Sequence, residues 1–208
     1  SKPINGSDVT SNSINSSEVA AGLYIKGTGE ANATVTLTFT TSSTTLANGN
    51  TATVNVIGDW YIPITSADIS NFGEGSESVT LTQTDVAGNT SSSSSSALVF
   101  DVDTVVAGST FALNTDSAGL SNSDGITNDA TVDVTLAADV ASWQYSTDAG
   151  ETWVTGSGTS FELADDTTYA ISAIQVKQTD DAGNTSTAET NAAQIITDMT
   201  VPTVTIGN

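Results

Sequence analysis

The octapeptide TDVAGNTS at 84–91 returns with one change as TDDAGNTS at 179–186, and this repetition constrains the fold more than any other feature of the chain. Asp85 and Asp180 occupy the same place in the two copies and lie 95 residues apart. A spacing of this size is the length of one small β domain. The repetition therefore predicts that a domain-sized unit has been duplicated in tandem.

A second landmark has the same offset, because Asp103 in DVDTVV and Asp198 in TDMTVP are also 95 residues apart. Two landmarks with the same offset indicate units of about 95 residues, and we divide the chain on this basis. The predicted boundaries are 1–102 for domain 1, 103–200 for domain 2 and 201–208 for the start of a following repeat.

Apolar residues recur at every second position, as in ATVTLTFT, where Val35, Leu37 and Phe39 alternate with threonine. This period indicates antiparallel strands with one apolar and one hydroxyl face. The same alternation is found around Val79 and Val132, whereas only 66–75 indicates a short helical turn. The pattern predicts an all-β chain.

Turn residues predict how the strands are joined. Gly58-Asp59 between TATVNVI and WYIPIT predicts a two-residue hairpin, with Pro63 on an edge strand. Asp148 to Gly150 predicts a hairpin between SWQYST and ETWVTG, and the phase change in YAISAIQVKQ predicts a bulge near Ala173. Short strands with frequent turns predict two tandem immunoglobulin-like β-sandwiches, here without the disulfide of that fold because the chain has no cysteine.

The charge balance limits the function classes. The chain has 24 acidic residues, three lysines and no arginine or histidine, for a net charge of −21. Nucleic acid and anionic membranes need clustered cations, so neither is an expected partner. Without histidine or cysteine, the usual zinc sites and nucleophilic triads are excluded. Adjacent acids arise by chance in so acidic a chain, and no cleft is evident, so we predict no enzymatic activity.

Calcium is the ligand that this composition favours, because Ca²⁺ binds six to eight carboxylate, carbonyl and water oxygens in flexible geometry. SNSDGITND at 121–129 has the composition of a calcium loop without the EF-hand spacing. Turn chemistry is the alternative for any single aspartate in such a loop, since Asp and Asn hydrogen-bond their own backbone.

The poles of a seven-strand sandwich bring distant acids together. The turn before the last strand of domain 2 faces domain 1, and the linker between the domains is itself acidic. A crowd of carboxylates is unfavourable unless it is protonated or bridged by a cation. The predicted calcium ligands at the junction are Glu18, Asp101, Asp103, Asp180 and Asp181. Those at the exit pole of domain 2 are Asp116, Asp124, Asp129 and Asp198.

The motifs SINSSEV, GTGEANATVTLTF, GDWYIPI and TDVAGNTS, in this order, resemble the bacterial immunoglobulin-like repeats of giant Gram-negative adhesins and biofilm proteins. SDGITND, WQYSTDAGETW and TDDAGNTS resemble a second variant of that repeat. The resemblance implies calcium-rigidified rods, type I secretion to the cell surface, and an extender role. It also implies a linker aspartate followed by Thr and Pro, a pattern that Asp198 keeps and Asp103 breaks at Ala107.

From these observations we expect a monomeric, extracellular, calcium-stiffened spacer that contacts neighbouring repeats of its own chain and does not insert into membranes. The alternative is that one domain is itself a carbohydrate- or protein-binding adhesion module. Clustered exposed aromatic residues would distinguish the two readings, and the candidates are Tyr24, Tyr61 and Trp153.

Overall fold

The computed structural model describes residues 2–4, 13–92, 98–116 and 123–207. The chain divides into two compact units, unit 1 at Ser1–Val105 and unit 2 at Val106–Asn208. Both consist of short strands with separate hydrophobic cores. The predicted all-β architecture is confirmed.

Unit 1 is a sandwich of two sheets. Its strands are β1 (Lys2–Pro3), β2 (Ser13–Ile14), β3 (Leu23–Thr28), β4 (Thr34–Phe39), β5 (Thr51–Thr53), β6 (Asp59–Ile64), β7 (Gly75–Thr84), β8 (Thr90–Ser92) and β9 (Leu98–Val102). One sheet has the order β1-β3-β6, and the other has the order β2-β9-β7-β4-β5 with β8 beside β7. The separation of β3 and β6 from β4, β7 and β9 is the arrangement of an immunoglobulin-like sandwich.

The core of unit 1 follows the period-two pattern. Val35, Leu37 and Phe39 on β4 are buried, and they face buried Ile25 and Ile62 from the other sheet. The threonines between the β4 core residues remain on the outer side. Side-chain alternation of a pleated strand therefore fixes which face of β4 enters the core.

The predicted hairpin at Gly58-Asp59 is wrong. A local turn does form, in which Gly58 N–H donates to the Asn55 carbonyl at 3.0 Å and Gly58 adopts φ 92°. However, β5 pairs with β4 and β6 pairs with β3, so the strands on either side of this turn belong to opposite sheets. The connection therefore crosses from one sheet of the sandwich to the other.

Two short helices lie in unit 1, α1 (Ser16–Ala21) and α2 (Ser66–Phe72). Each begins with a capping box, formed by Asn15 with Glu18 and by Thr65 with Asp68. The turn predicted at 66–75 is confirmed as α2, whereas α1 was not predicted because six residues are too few to show a helical period. No helix among the described residues is long and apolar enough to cross a membrane.

Unit 2 repeats the sandwich with shorter strands. They are β10 (Thr110–Leu113), β11 (Ile126–Thr127), β12 (Thr131–Thr135), β13 (Val140–Ser146), β14 (Val154–Thr155), β15 (Ser160–Glu162), β16 (Thr168–Tyr169), β17 (Gln175–Asp180), β18 (Glu189–Thr190) and β19 (Ile195–Thr197). The sheet orders are β10-β12-β15, β14-β13-β17-β18 and β11-β19-β16. The predicted hairpin at 148–150 is confirmed, because β13 and β14 pair directly.

The predicted bulge near Ala173 is wrong. The chain leaves β16, turns through Ser172 at φ 64° and continues as β17 in a different sheet, so the phase change marks a break between two strands. Ile171 lies in this turn and is 64% exposed. In unit 1 the corresponding strand, β7, continues unbroken over Gly75–Thr84.

Candidate metal centres

The repeated turn of unit 2 is built around a buried carboxylate. Asp180 ends β17 and is 1% exposed. Its Oδ1 accepts from the backbone N–H of Asn184 at 2.8 Å, and its Oδ2 accepts from the side-chain amide of the same residue at 2.9 Å. Gly183 closes the turn at φ 94°, a conformation that glycine adopts without steric cost. The turn therefore holds a charged group in a fixed position below the surface.

A second carboxylate lies beside it. One carboxylate oxygen of Asp139 lies within 4.8 Å of one of Asp180. Asp139 is in the loop between β12 and β13, and its backbone carbonyl accepts from Asp181 N–H at 3.0 Å. This backbone bond fixes the loop against the repeated turn. Two carboxylates at such a separation repel unless one is protonated or a cation lies between them.

No lysine amine of unit 2 neutralises this pair. Lys177 is the one lysine of the unit. Its amine lies over the Trp153 ring, 3.8 Å from the ring centroid. The arrangement of Asp139 and Asp180 therefore has the chemistry of a cation site with oxygen ligands.

The segment that enters unit 2 is fixed next to the same strand. The buried side chain of Gln178 accepts from Ala137 N–H at 3.0 Å and donates to the Ala107 carbonyl at 2.7 Å. Gln178 lies two residues before Asp180 on β17. The first residues of unit 2 are thus held close to the carboxylate pair.

The end of unit 1 carries its own group of acids. Glu74, Asp101 and Asp103 line an open hollow of about 370 Å³ together with Ser13 and Val105. Asp101 and Asp103, two of the predicted junction ligands, thus line the same hollow. Glu18 is not among its lining residues, and its carboxylate accepts from Asn15 N–H in the capping box at 3.3 Å.

Thr104 anchors one side of this hollow. Its backbone N–H and its hydroxyl donate to the two oxygens of the Glu74 carboxylate at 2.8 and 2.5 Å. These two bonds hold the chain that follows β9 against the turn after α2. The carboxylate of Glu74 is therefore already oriented at the end of unit 1.

The opposite end of unit 2 is organised by Thr127, which is buried. Its hydroxyl contacts the carbonyl oxygens of Thr115 at 2.5 Å and of Asp129 at 3.1 Å. Its backbone carbonyl accepts from Asp198 N–H at 2.8 Å. The predicted exit-pole residues therefore come from segments that are held together in the structure.

Asp116 differs from the other acids at this pole. Its Oδ2 accepts from Gly125 N–H at 3.2 Å. Its Oδ1 is the one buried side-chain nitrogen or oxygen atom in the described part of the chain without a hydrogen-bond partner. A buried carboxylate oxygen without a donor is costly, and a bound cation removes this cost.

The carboxylates of the other exit-pole acids accept hydrogen bonds from donors nearby in the chain or the fold. Asp124 accepts from Ile126 N–H, and Asp198 accepts from Thr200 N–H. Hydrogen bonds from Thr131 and Asn114 hold the pKa of Asp129 well below its ordinary value. Among the residues that the structure describes, Asp116, Asp124, Asp129 and Asp198 do not form a group with three ligand oxygens within 4.8 Å of one another. These contacts are those of turn chemistry.

Asp139 is the functional candidate that sequence reasoning missed. It stands alone in LAADVAS and has no motif around it. The topology of the fold contains the signal, because the loop between the second and third strands of an immunoglobulin-like sandwich lies at the same pole as the loop between the last two. An acid in one of these loops therefore faces an acid in the other.

Comparison with known proteins finds no matching family model and no matching curated protein. Among solved structures, the chain is similar to a Ca²⁺-stabilized adhesin that helps an Antarctic bacterium reach out and bind ice, with 24% identity and a TM-score of 0.48. It is also similar to a 1.5-MDa bacterial ice-binding adhesin studied for its retention at the host cell surface, with 18% identity and a TM-score of 0.47.

A third similarity is to fibronectin(III)-like modules of Clostridium thermocellum CbhA, with 14% identity and a TM-score of 0.37 over 98% of both chains. The two adhesin matches cover 91% and 89% of this chain. The chain spans 47% and 61% of the lengths of those two adhesin structures.

Proposed function

We propose that this chain is a calcium-stiffened extender segment of a large bacterial cell-surface adhesin, and that it has no enzymatic activity. The observation that carries the proposal is the carboxylate pair of Asp139 and Asp180, with Asp180 buried and no cationic side chain of unit 2 assigned to it. The motif order that resembles adhesin repeats supports the extender role, the extracellular location and the contact with neighbouring repeats.

Calcium is the cation that suits this pair best. The available ligands are carboxylate and carbonyl oxygens, because the chain has neither histidine nor cysteine. Calcium accepts such oxygens in flexible geometry, whereas magnesium demands a tighter octahedron and gives up its water reluctantly. A surface with net charge −21 also attracts divalent cations.

Asp103 is the proposed third ligand, with Asp101 and Asp181 as outer ones. Asp103 precedes Ala107 by four residues, and Ala107 is hydrogen-bonded beside β17. An extended chain covers at most about 3.6 Å per residue, so Asp103 lies within about 14 Å of that anchor. A calcium ion held by linker and unit 2 together would restrict the joint, which otherwise flexes by default.

A second calcium site is proposed at the other end of unit 2, centred on Asp116. Its unpartnered Oδ1 and the neighbouring segments held by Thr127 support this site. Asp198, which is 95 residues after Asp103, is the proposed linker ligand toward a following repeat. Each repeat would then contribute the same type of ligand to the next joint.

Thermal melting in calcium and in chelator tests the proposal. Calcium that binds the folded state stabilises it by mass action. Extracellular calcium modules have dissociation constants of roughly 10⁻⁴–10⁻³ M, so millimolar calcium should raise Tm above its value in chelator, and by more than magnesium does. Equal melting curves in calcium and chelator would contradict the calcium proposal.

Small-angle scattering tests the stiffening separately. We expect a narrower distribution of particle dimensions in calcium than in chelator, since unbridged acids repel over a Debye length of about 8 Å at physiological salt. The double variant Asp103→Asn with Asp139→Asn should give the chelator-like distribution even in calcium. A double variant that stays as narrow as the parent would show that these residues do not stiffen the joint.

A further inference from the structure

The outer face of β3 and β6 in unit 1 carries a set of side chains that the core does not use. In the antiparallel register, Tyr24 is opposite Pro63, and Lys26 is opposite Tyr61. The residues between them on both strands, including Ile25 and Ile62, are buried in the core. Alternation therefore directs both tyrosines and the lysine outward on one sheet face.

The two tyrosine rings form a corner. Their centroids are 6.5 Å apart and their planes meet at 80°, an edge-to-face arrangement that aromatic pairs favour. Tyr61 is 68% exposed, so its ring is available to a ligand rather than committed to packing. Two rings in this arrangement offer one flat apolar surface and one wall beside it.

Polar groups surround the rings. Tyr24, Tyr61, Lys26, Thr28 and Asp59 line one open groove of about 730 Å³. This volume is within the range of roughly 300–1,000 Å³ that small-molecule sites occupy. The groove thus combines aromatic surface with hydroxyl, amine and carboxylate groups that donate and accept hydrogen bonds.

The composition of this face contrasts with the outer face of β4 in the same unit. There, Thr34, Thr36 and Thr38 alternate with the core residues. Threonine provides β-propensity at an exposed position without exposing a ring to water. The two tyrosines are thus a departure from the hydroxyl-bearing outer face of the neighbouring sheet.

We infer that the groove between Tyr24 and Tyr61 is a binding site for a neutral saccharide unit. A pyranose ring has an apolar face of C–H groups and a rim of hydroxyls, which matches a flat aromatic ring bordered by donors and acceptors. The charges of Lys26 and Asp59 balance within the groove, and the whole chain has a net charge of −21. These charges disfavour an acidic polysaccharide. The site is independent of the calcium proposal.

Titration of the whole chain with neutral hexasaccharides tests this inference. The probes are cellohexaose, mannohexaose, maltohexaose and N-acetylchitohexaose. Binding is measured from the changes in backbone amide chemical shifts in nuclear magnetic resonance spectra. We expect at least one probe to shift the amides of β3 and β6, and Tyr61→Ala to weaken its binding by about tenfold or more. Tyr61→Phe keeps the ring and should stay within about threefold of the parent.

Trp153→Ala, which removes an aromatic residue of unit 2, is the matched control and should leave saccharide binding unchanged. The inference is overturned if no neutral probe shifts β3 or β6 at about 10 mM, a concentration that detects millimolar affinity. It is also overturned if affinity survives Tyr61→Ala, if hexagalacturonate binds this face in place of the neutral probes, or if sedimentation shows that the face pairs two copies of the chain.

Discussion

The two copies of the repeated turn have the same internal structure. In unit 1, Asp85 accepts from the backbone and the side-chain amide of Asn89 at 2.8 and 2.7 Å. In unit 2, Asp180 accepts from the same two groups of Asn184 at 2.8 and 2.9 Å. The flanking threonine hydroxyls lie 3.0 Å apart in both copies. The shared sequence therefore encodes a turn.

Their surroundings differ. Asp180 and Asn184 are buried, whereas Asn89 is exposed and Asp85 is half-buried. Where unit 2 has Asp181, unit 1 has Val86, which is 84% exposed. The carboxylate of Asp139 lies near Asp180 only because a separate loop brings it there. The comparison shows that the motif positions one carboxylate, and that a neighbouring loop determines whether a second carboxylate lies beside it.

The largest expected effect comes from truncating the buried member of the pair. Asp180→Ala removes the acceptor for two donors of Asn184, and stranded buried donors to a charged group cost about 3 kcal/mol. Asp85→Ala at the matched position should lower stability much less, because water replaces the lost bonds of the exposed Asn89. Calorimetric melting in chelator, where calcium does not contribute, compares the two. Equal losses would mean that burial does not distinguish the turns.

Sequence alone is sufficient for the features that depend on local periodicity. The all-β class and the inward positions of Val35 and Leu37 follow from alternation, since burial of one face is a property of each strand by itself.

Features that depend on which strands become neighbours could not be obtained this way. The Gly58-Asp59 prediction was wrong because a turn signal does not say whether the next strand joins the same sheet. Asp139 was missed because its contact with Asp180 spans two loops that only the sandwich topology brings together. Val86 and Asp181 show the same limit, since equivalent positions in a repeat have different surroundings.

Removal of the second carboxylate should abolish the contribution of this pair to the calcium response without unfolding the turn. Asp139 is exposed, and its backbone carbonyl, which accepts from Asp181, is kept in Asp139→Asn. Binding at ten times the dissociation constant stabilises by about 1.4 kcal/mol, and this part of the Tm gain in calcium should disappear. Asp133→Asn removes an equal charge from the exposed face of β12 and should retain the gain. A parent-like calcium response in Asp139→Asn would exclude the pair as the site.

A smaller effect is expected when the turn of unit 2 is given the sequence of unit 1. Asp181→Val makes the two octapeptides identical while it leaves Asp139 and Asp180 in place. As a proposed outer ligand, Asp181 should contribute less than tenfold to calcium affinity, which corresponds to under about 1.4 kcal/mol. Isothermal titration calorimetry with calcium measures the change in affinity between the parent and Asp181→Val. Complete loss of binding would show that the residue after the buried aspartate, rather than the facing loop, distinguishes the two turns.

The smallest expected effect is the acid response of the turn in unit 1. Hydrogen bonds from the side chain and backbone of Asn89 hold the pKa of Asp85 below its ordinary value of 3.8. A carboxyl whose pKa is lowered by folding stabilises the folded state at pH values above 3.8, and this stabilisation is lost as pH falls through the lowered pKa. Asp85→Asn lacks the titrating group, so its Tm deficit relative to the parent should narrow as the pH falls below about 4. The Tm difference between Asp133→Asn and the parent provides the baseline for removing a surface charge. If the Tm deficit of Asp85→Asn stays constant from neutral pH to below about pH 4, the hydrogen bonds from Asn89 orient the turn without favouring the charged form of Asp85.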